Sequence, residues 1–139
     1  MSIEVKISDF SGEVLSAMKD QAEKGLEEIG VKAEGYAAAA LESNPRRIDT
    51  GLLRNSITHA MAGEAPAKST YSSDDGTKSG AYSGTAPGSG LSVYIGTNVD
   101  YAGYVHDGTS KMAPNRFLSS AATGHSETYK AIMKRALEG

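Results

Sequence analysis

The chain has 139 residues, with 17 acidic against 14 basic side chains and neither cysteine nor tryptophan. That length suits one domain with a modest hydrophobic core, and the lack of cysteine excludes a disulfide scaffold, a thiol redox centre and a thiolate metal site. Charge is uneven along the sequence: residues 1–43 hold nine acidic side chains against four lysines, and the rest holds eight against ten basic ones. An acidic first third is not the electrostatic footprint of a DNA reader. It reads as a solvated helix face carrying i,i+4 charge pairs, or as a face that must not adhere to nucleic acid.

The opening MSIEVKISDF mixes charged and apolar residues, unlike the basic and apolar regions of a signal peptide. Near the middle, the longest apolar run, Tyr36 to Leu41, is far below the roughly 20 residues that cross a bilayer, so no membrane partner is expected. Ile3, Val5 and Ile7 alternate with Glu4 and Lys6, which predicts a short strand with one buried face. Ser8 or Ser11 can cap a helix. Beyond it Leu15, Met18, Ala22, Leu26, Ile29, Ala33, Ala37 and Ala40 recur at steps of three and four, the pattern of one amphipathic helix about 50 Å long. Gly25, Gly30 and Gly35 each cost about 1 kcal/mol against alanine there, so a bend or break is expected near Gly30. Pro45 disfavours helical geometry at Asn44 and ends the element. So long a helix should seek part of its partner surface on another subunit.

Asp49-Thr50-Gly51 has the chemistry of a tight turn or of a cap on a short helical turn. Arg54 to Ala60 reads as a strand, with Asp49 and Arg54 close enough in sequence for a surface ion pair. Residues 62–90 are rich in Gly, Ser, Thr and Ala, with too few large apolar side chains to bury a core. A structureless stretch of this length is uncommon inside a domain. It is expected to be a flexible β-hairpin arm or extended loop, ordered by a partner, with Tyr71 and Tyr82 as its anchors. Leu91 to Ile95 supplies the following strand. Asn98 or Asp100 then starts a short helical turn on which Tyr101 and Tyr104 share a face, and Gly108 closes it as a C-cap. A last helix is predicted from about Asn115 to Leu137, interrupted by Gly124 and His125, with Lys130, Lys134 and Arg135 favourably placed near its C-terminus.

Reactive chemistry is sparse. His59, His106 and His125 are far apart in sequence and none belongs to a HExxH-like metal pattern. His106-Asp107 has the residue types of a base and its orienter, but adjacent side chains point in different directions, and no GxSxG elbow is present. The glycine clusters lack the lysine and following helix of a phosphate loop, and Arg46-Arg47 is only a pair, not a basic stripe with interleaved aromatics. Neither a catalytic or metal site nor a cofactor is expected.

Two segments carry a family resemblance. IDTGLLRNSI, from Ile48 to Ile57, and VYIGTNVDYAGYVHDGTSKMAPNRFLSSA, from Val93 to Ala121, resemble the Asp-Thr-Gly-x-Leu-Arg-x-Ser-Ile and Gly-Thr-Asn-x-x-Tyr-Ala-x-Tyr-Val-x-x-Gly-Thr patterns of the tail-completion, or head-tail joining, proteins of long-tailed bacteriophages and prophages. The resemblance implies an α+β fold in which a small, mainly antiparallel sheet is backed by the long first helix and the last helix. It implies a single head-tail joining domain, similar to tail terminators, that assembles as a homo-oligomeric ring, usually sixfold. Such a ring ends tail-tube growth in the virion neck, docks on the tail tube protein and the head connector or stopper, and leaves a channel through which DNA passes without specific binding. The subunit would be made in the bacterial host cytoplasm. Asp49, Thr50, Gly51 and Arg54 carry over to the first motif, and Gly96, Thr97, Tyr101, Tyr104, Gly108 and Thr109 to the second. With the arm's Tyr71 and Tyr82, the expected contact residues are Asp49, Thr50, Gly51, Arg54, Tyr101, Tyr104, Gly108 and Thr109. The rival readings are a head-side minor capsid or connector stopper protein, and a small hydrolase using His106.

Overall fold

A computed structural model of the chain describes residues 3–9, 18–42, 51–111 and 113–138. Three antiparallel strands, β1 (Ile3–Asp9), β2 (Thr58–Met61) and β5 (Ser92–Thr97), form the main sheet in the order β1-β5-β2. A second, two-stranded sheet pairs β3 (Thr70–Ser72) with β4 (Ser79–Ala81). The helices are α1 (Lys19–Glu42), α2 (Leu52–Ser56), α3 (Ala102–Asp107), α4 (Phe117–Thr123) and α5 (Ser126–Glu138). This is the expected α+β architecture, with the first and last helices packed on a small antiparallel sheet. No helix of the described residues is long and apolar enough to cross a membrane.

The centre of the sheet is β5, whose Val93 and Ile95 are fully buried. Cross-strand partners share a face, so the register places Val5 and His59 beside Ile95, and Ile3 beside Thr97, on the side that α1 covers. The β1 alternation predicted from Ile3, Val5 and Ile7 holds until the register shifts between Lys6 and Ser8. On α1 the buried stripe is Ala22, Gly25, Leu26, Ile29, Gly30, Ala33, Ala37 and Leu41. These recur every three to four residues, as a helix with one core-facing side requires.

Two expectations for α1 are corrected. Its 24 described residues extend about 36 Å at 1.5 Å per residue, and the stripe finds its partners in α4, α5, β2 and β5 of the same chain. Its length therefore gives no argument for a neighbouring subunit. No break occurs at Gly30 either. A Cβ there would collide with the His59 ring, so the missing side chain is what lets β2 approach the helix. The Ser8 or Ser11 cap, the first turns of the predicted helix and its Pro45 stop fall outside the described residues.

The strand expected from Arg54 begins only at Thr58, because Leu52–Ser56 is one helical turn. Gly51 enters it at φ 78°, a left-handed conformation that glycine adopts without steric cost. Within the turn Ser56 Oγ donates to the Leu53 carbonyl at 2.6 Å. Leu53 and Ile57 are both buried, and their spacing of four, rather than the β-compatible residue types that follow, is the signal that counts. The last helix is divided, as Gly124 and His125 foretold. Tyr129, fully buried on α5, donates its hydroxyl to the Ala121 carbonyl of α4 at 2.5 Å, and the His125 ring between them stacks on Tyr36 of α1 at 3.5 Å between centroids. Burial and then the neighbouring Tyr36 push the Tyr129 hydroxyl up to about 12.

Candidate functional site

Of the two forms expected for residues 62–90, the structure has the hairpin, and Tyr71 and Tyr82 anchor it to the body of the same chain. Ala67 N–H donates to the His59 carbonyl at 2.9 Å, and Lys68 N–H to Thr58 Oγ1 at 3.0 Å, so the arm continues hydrogen bonding along the outer edge of β2. Tyr71 donates its hydroxyl to Asn98 Oδ1 at 2.5 Å, and Asn98 Nδ2 donates to the Ala81 carbonyl at 2.8 Å. One side chain thereby holds both strands of the hairpin. Tyr82 lies against Tyr71, with 5.4 Å between ring centroids, and donates to the Ser56 carbonyl. Gly80, paired with Tyr71 across the hairpin, leaves room for that ring, which a Cβ would strike.

The first motif grips the hairpin tip. Arg54 Nη2 lies 2.6 Å from each carboxylate oxygen of Asp74, and Asn55 Nδ2 donates to Asp74 Oδ1 and to the Ser72 carbonyl, both at 2.9 Å. Arg54 also reaches Glu42 at 3.6 Å. Its partners are thus Asp74 and Glu42, while Asp49, the expected partner, lies outside the described residues together with Thr50. The Asn55 amide and then Arg54 hold the Asp74 carboxyl below its usual range. Asp75 beside it accepts from Thr77 N–H and from the Ser73 and Thr77 hydroxyls, which hold it down at about 2. A Cβ on Gly51 would stand 2.5 Å from Asp74 and 2.6 Å from Arg54, so this glycine is required by the ion pair as well as by its backbone angle.

The two motifs meet directly: Ser56 Oγ and Thr97 Oγ1 are 2.6 Å apart and buried, and Thr97 Oγ1 accepts from Val99 N–H at 3.1 Å. Gly51, Arg54, Tyr71 and Tyr82 are therefore brought into one cluster. Asn55, Asp74 and Asn98 complete it and were missed. Asn98 stands in the Gly-Thr-Asn motif, which was the available signal; Asp74 had none, since only the fold brings the hairpin tip to α2.

Tyr101, Tyr104, Gly108 and Thr109 form a separate corner around α3. Gly108 is the expected C-cap, at φ 81° with its N–H on the Tyr104 carbonyl at 2.8 Å. Neither Asn98 nor Asp100 caps the start of α3, which has no side-chain cap. Tyr104 is 66% exposed and Tyr101 41%. The buried face of α3 is Ala102, Val105 and His106. Asp100 links the corner to the arm electrostatically, since burial and then the Asp100 charge raise the Tyr71 pKa.

His106 overturns one expectation. Its Nδ1 lies 2.9 Å from Asp107 Oδ1, and its Nε2 lies 3.1 Å from Ser119 Oγ, so the adjacent carboxylate does reach the ring and a serine stands on the far side. The same Nε2 accepts the Ser119 backbone N–H at 3.2 Å. With Nδ1–H given to Asp107, that lone pair caps an otherwise uncapped donor in the first turn of α4, which has no cap from its own flanking residue. The ring is buried and packs edge-on against Phe117, 5.6 Å between centroids. A lone pair committed to a backbone donor is poorly placed to take a serine proton.

No family model, curated protein or solved structure matches the chain. Among the described residues no group of three or more His, Asp or Glu is placed to hold a metal ion. A surface cavity of about 430 Å³ lies away from both clusters, between Lys19, Glu23 and Leu26 of α1 and Met61, Gly63 and Leu91 at the base of the arm.

Proposed function

We propose that the protein is a non-enzymatic structural subunit of a phage neck, which assembles as a homo-oligomeric ring, completes the tail tube and joins it to the head connector around a DNA channel. The two ordered motifs and their resemblance to head-tail joining proteins motivate this reading. The observation that carries it furthest is the division of labour in those motifs. Arg54, Asn55 and Asn98 hold the arm to the body, while Tyr104 on the second motif is left two-thirds exposed on a helix whose other face is buried. An exposed aromatic beside a rigid corner is a common anchor of protein interfaces. In a ring, each subunit meets the next through two different surfaces and closure ends growth. The hairpin, held by polar contacts rather than by buried apolar area, is the natural element to meet the tail tube or the connector.

Mass measurement of the purified protein, alone and mixed with tail tubes, tests this. Closed rings that bind tube ends are expected, and a species that stays monomeric in both samples would sink the proposal. Rings that bind filled heads but not tubes would transfer the protein to the head side of the joint.

A further inference from the structure

The His59 imidazole takes part in none of the hydrogen bonds above. The residue sits on β2 with its side chain 3% exposed, facing α1 across Gly30. Its Nε2 lies 2.8 Å from Glu27 Oε1, and its Nδ1 is hydrogen bonded to Glu34 Oε2. The same Glu34 oxygen accepts the His59 backbone N–H at 3.1 Å. Glu27 and Glu34 are seven residues apart, two turns of α1, so they meet the ring from either end. An ionised carboxylate only accepts, and a neutral imidazole has one donor. Two carboxylate partners on one ring therefore require both ring nitrogens to carry protons.

We propose that His59 is a proton-operated clasp: it is held as an imidazolium at neutral pH, fastening α1 to β2 through Glu27 and Glu34, and its deprotonation in mild alkali unfastens that seam. The surroundings fit. On β5 the residue opposite His59 is Ile95, which brings no charge. On the outer side, Arg54 of α2 and Lys68 of the arm share a shallow depression with Glu34. On the other, Asp20, Glu23 and Lys24 of α1 adjoin Glu27. Burial by itself would lower the His59 pKa; the hydrogen bonds and charges of Glu34 and then Glu27 outweigh it and raise the value above 6.5. A group raised on folding contributes stability that is fully present below its unfolded pKa and is lost as pH rises through the folded one. The seam therefore weakens on the alkaline side. After proton loss one ring lone pair faces a carboxylate across a gap that Gly30 keeps narrow.

The test is ¹⁵N NMR of the imidazole rings through a titration from about pH 6 to about pH 9, with amide exchange of 58–61 and 27–34 followed in the same samples. Both His59 nitrogens are expected to be protonated at neutral pH, with a midpoint above 6.5, and exchange protection of the seam should fall through that midpoint. Glu27→Gln, at a half-exposed side chain that the fold tolerates, should shift the midpoint and the loss of protection downward together. A neutral His59 tautomer at neutral pH, a midpoint unmoved by Glu27→Gln, or protection independent of the titration each overturns the clasp.

Discussion

The body and the arm are held together by different forces. In the body, α1 and α4 close over the sheet and α5 packs on α1, and the fully buried side chains are Ile29, Val93, Ile95, Phe117, Leu118 and their neighbours. Burial of that kind is non-directional and scales with area. Within the arm only Ala86 is a buried hydrophobic residue. Its hairpin stays in place through directional contacts: two tyrosine hydroxyls, the Asn98 amide and the Arg54–Asp74 pair. A segment fixed this way has a defined position but a low local cost of opening. That combination suits a part that must rearrange against a partner without unfolding its domain.

The largest expected effect lies in the body. Phe117→Ala removes a fully buried ring and should cost about 3–5 kcal/mol, read as a lower urea midpoint for the whole cooperative transition. A body midpoint left unchanged by this substitution would break the contrast. Next is Asn98→Ala, which deprives both hairpin strands of their shared anchor. Leaving the Tyr71 hydroxyl and the Ala81 carbonyl without it should cost roughly 1–3 kcal/mol. The loss should register as faster amide exchange over 70–81 with little change in the α1 core.

Acid should separate the regions with no mutation. Asp74 and Asp75 have folded pKa values depressed below 3.8. Their contribution is present above that value and is lost as pH falls, for Asp75 toward about 2. The hairpin signals should broaden or shift through that range; hairpin and core signals changing together at a single pH would argue against independent opening. Smallest is the effect of Tyr104→Ala on the isolated subunit. At an exposed position, stability should change by no more than about 0.5 kcal/mol, while the proposed ring is lost. A large drop in monomer stability, or intact rings, would remove Tyr104 from the contact surface.

Much of the body could be read directly. Alternation at Ile3, Val5 and Ile7, the three-to-four spacing from Ala22 to Ala37, and the Gly124-His125 interruption report local periodicities, and these survive in β1, α1 and the α4–α5 break, with Leu41 rather than the expected Ala40 completing the stripe. The arm was less readable. Its Gly- and Ser-rich composition records a shortage of apolar mass correctly, yet polar anchors such as Asp74 carry no periodic signature, so the partners that hold it were invisible. A short helical turn after Gly51 was among the readings of the first motif and α2 is that turn, but the strand was started too early, at Arg54 instead of Thr58.

By itself, then, the sequence determined the apolar faces, because burial patterns are written in spacing along the chain, and it carried the two motifs whose resemblance implied the α+β class. Tertiary structure alone decided that Gly30 is an approach rather than a break, and that His106 caps α4. It also decided that Ser56 and Thr97 join the motifs and that His59 lies between two carboxylates. Each of these depends on residues far apart in sequence meeting at hydrogen-bond distance, and no local pattern of residue types encodes that meeting.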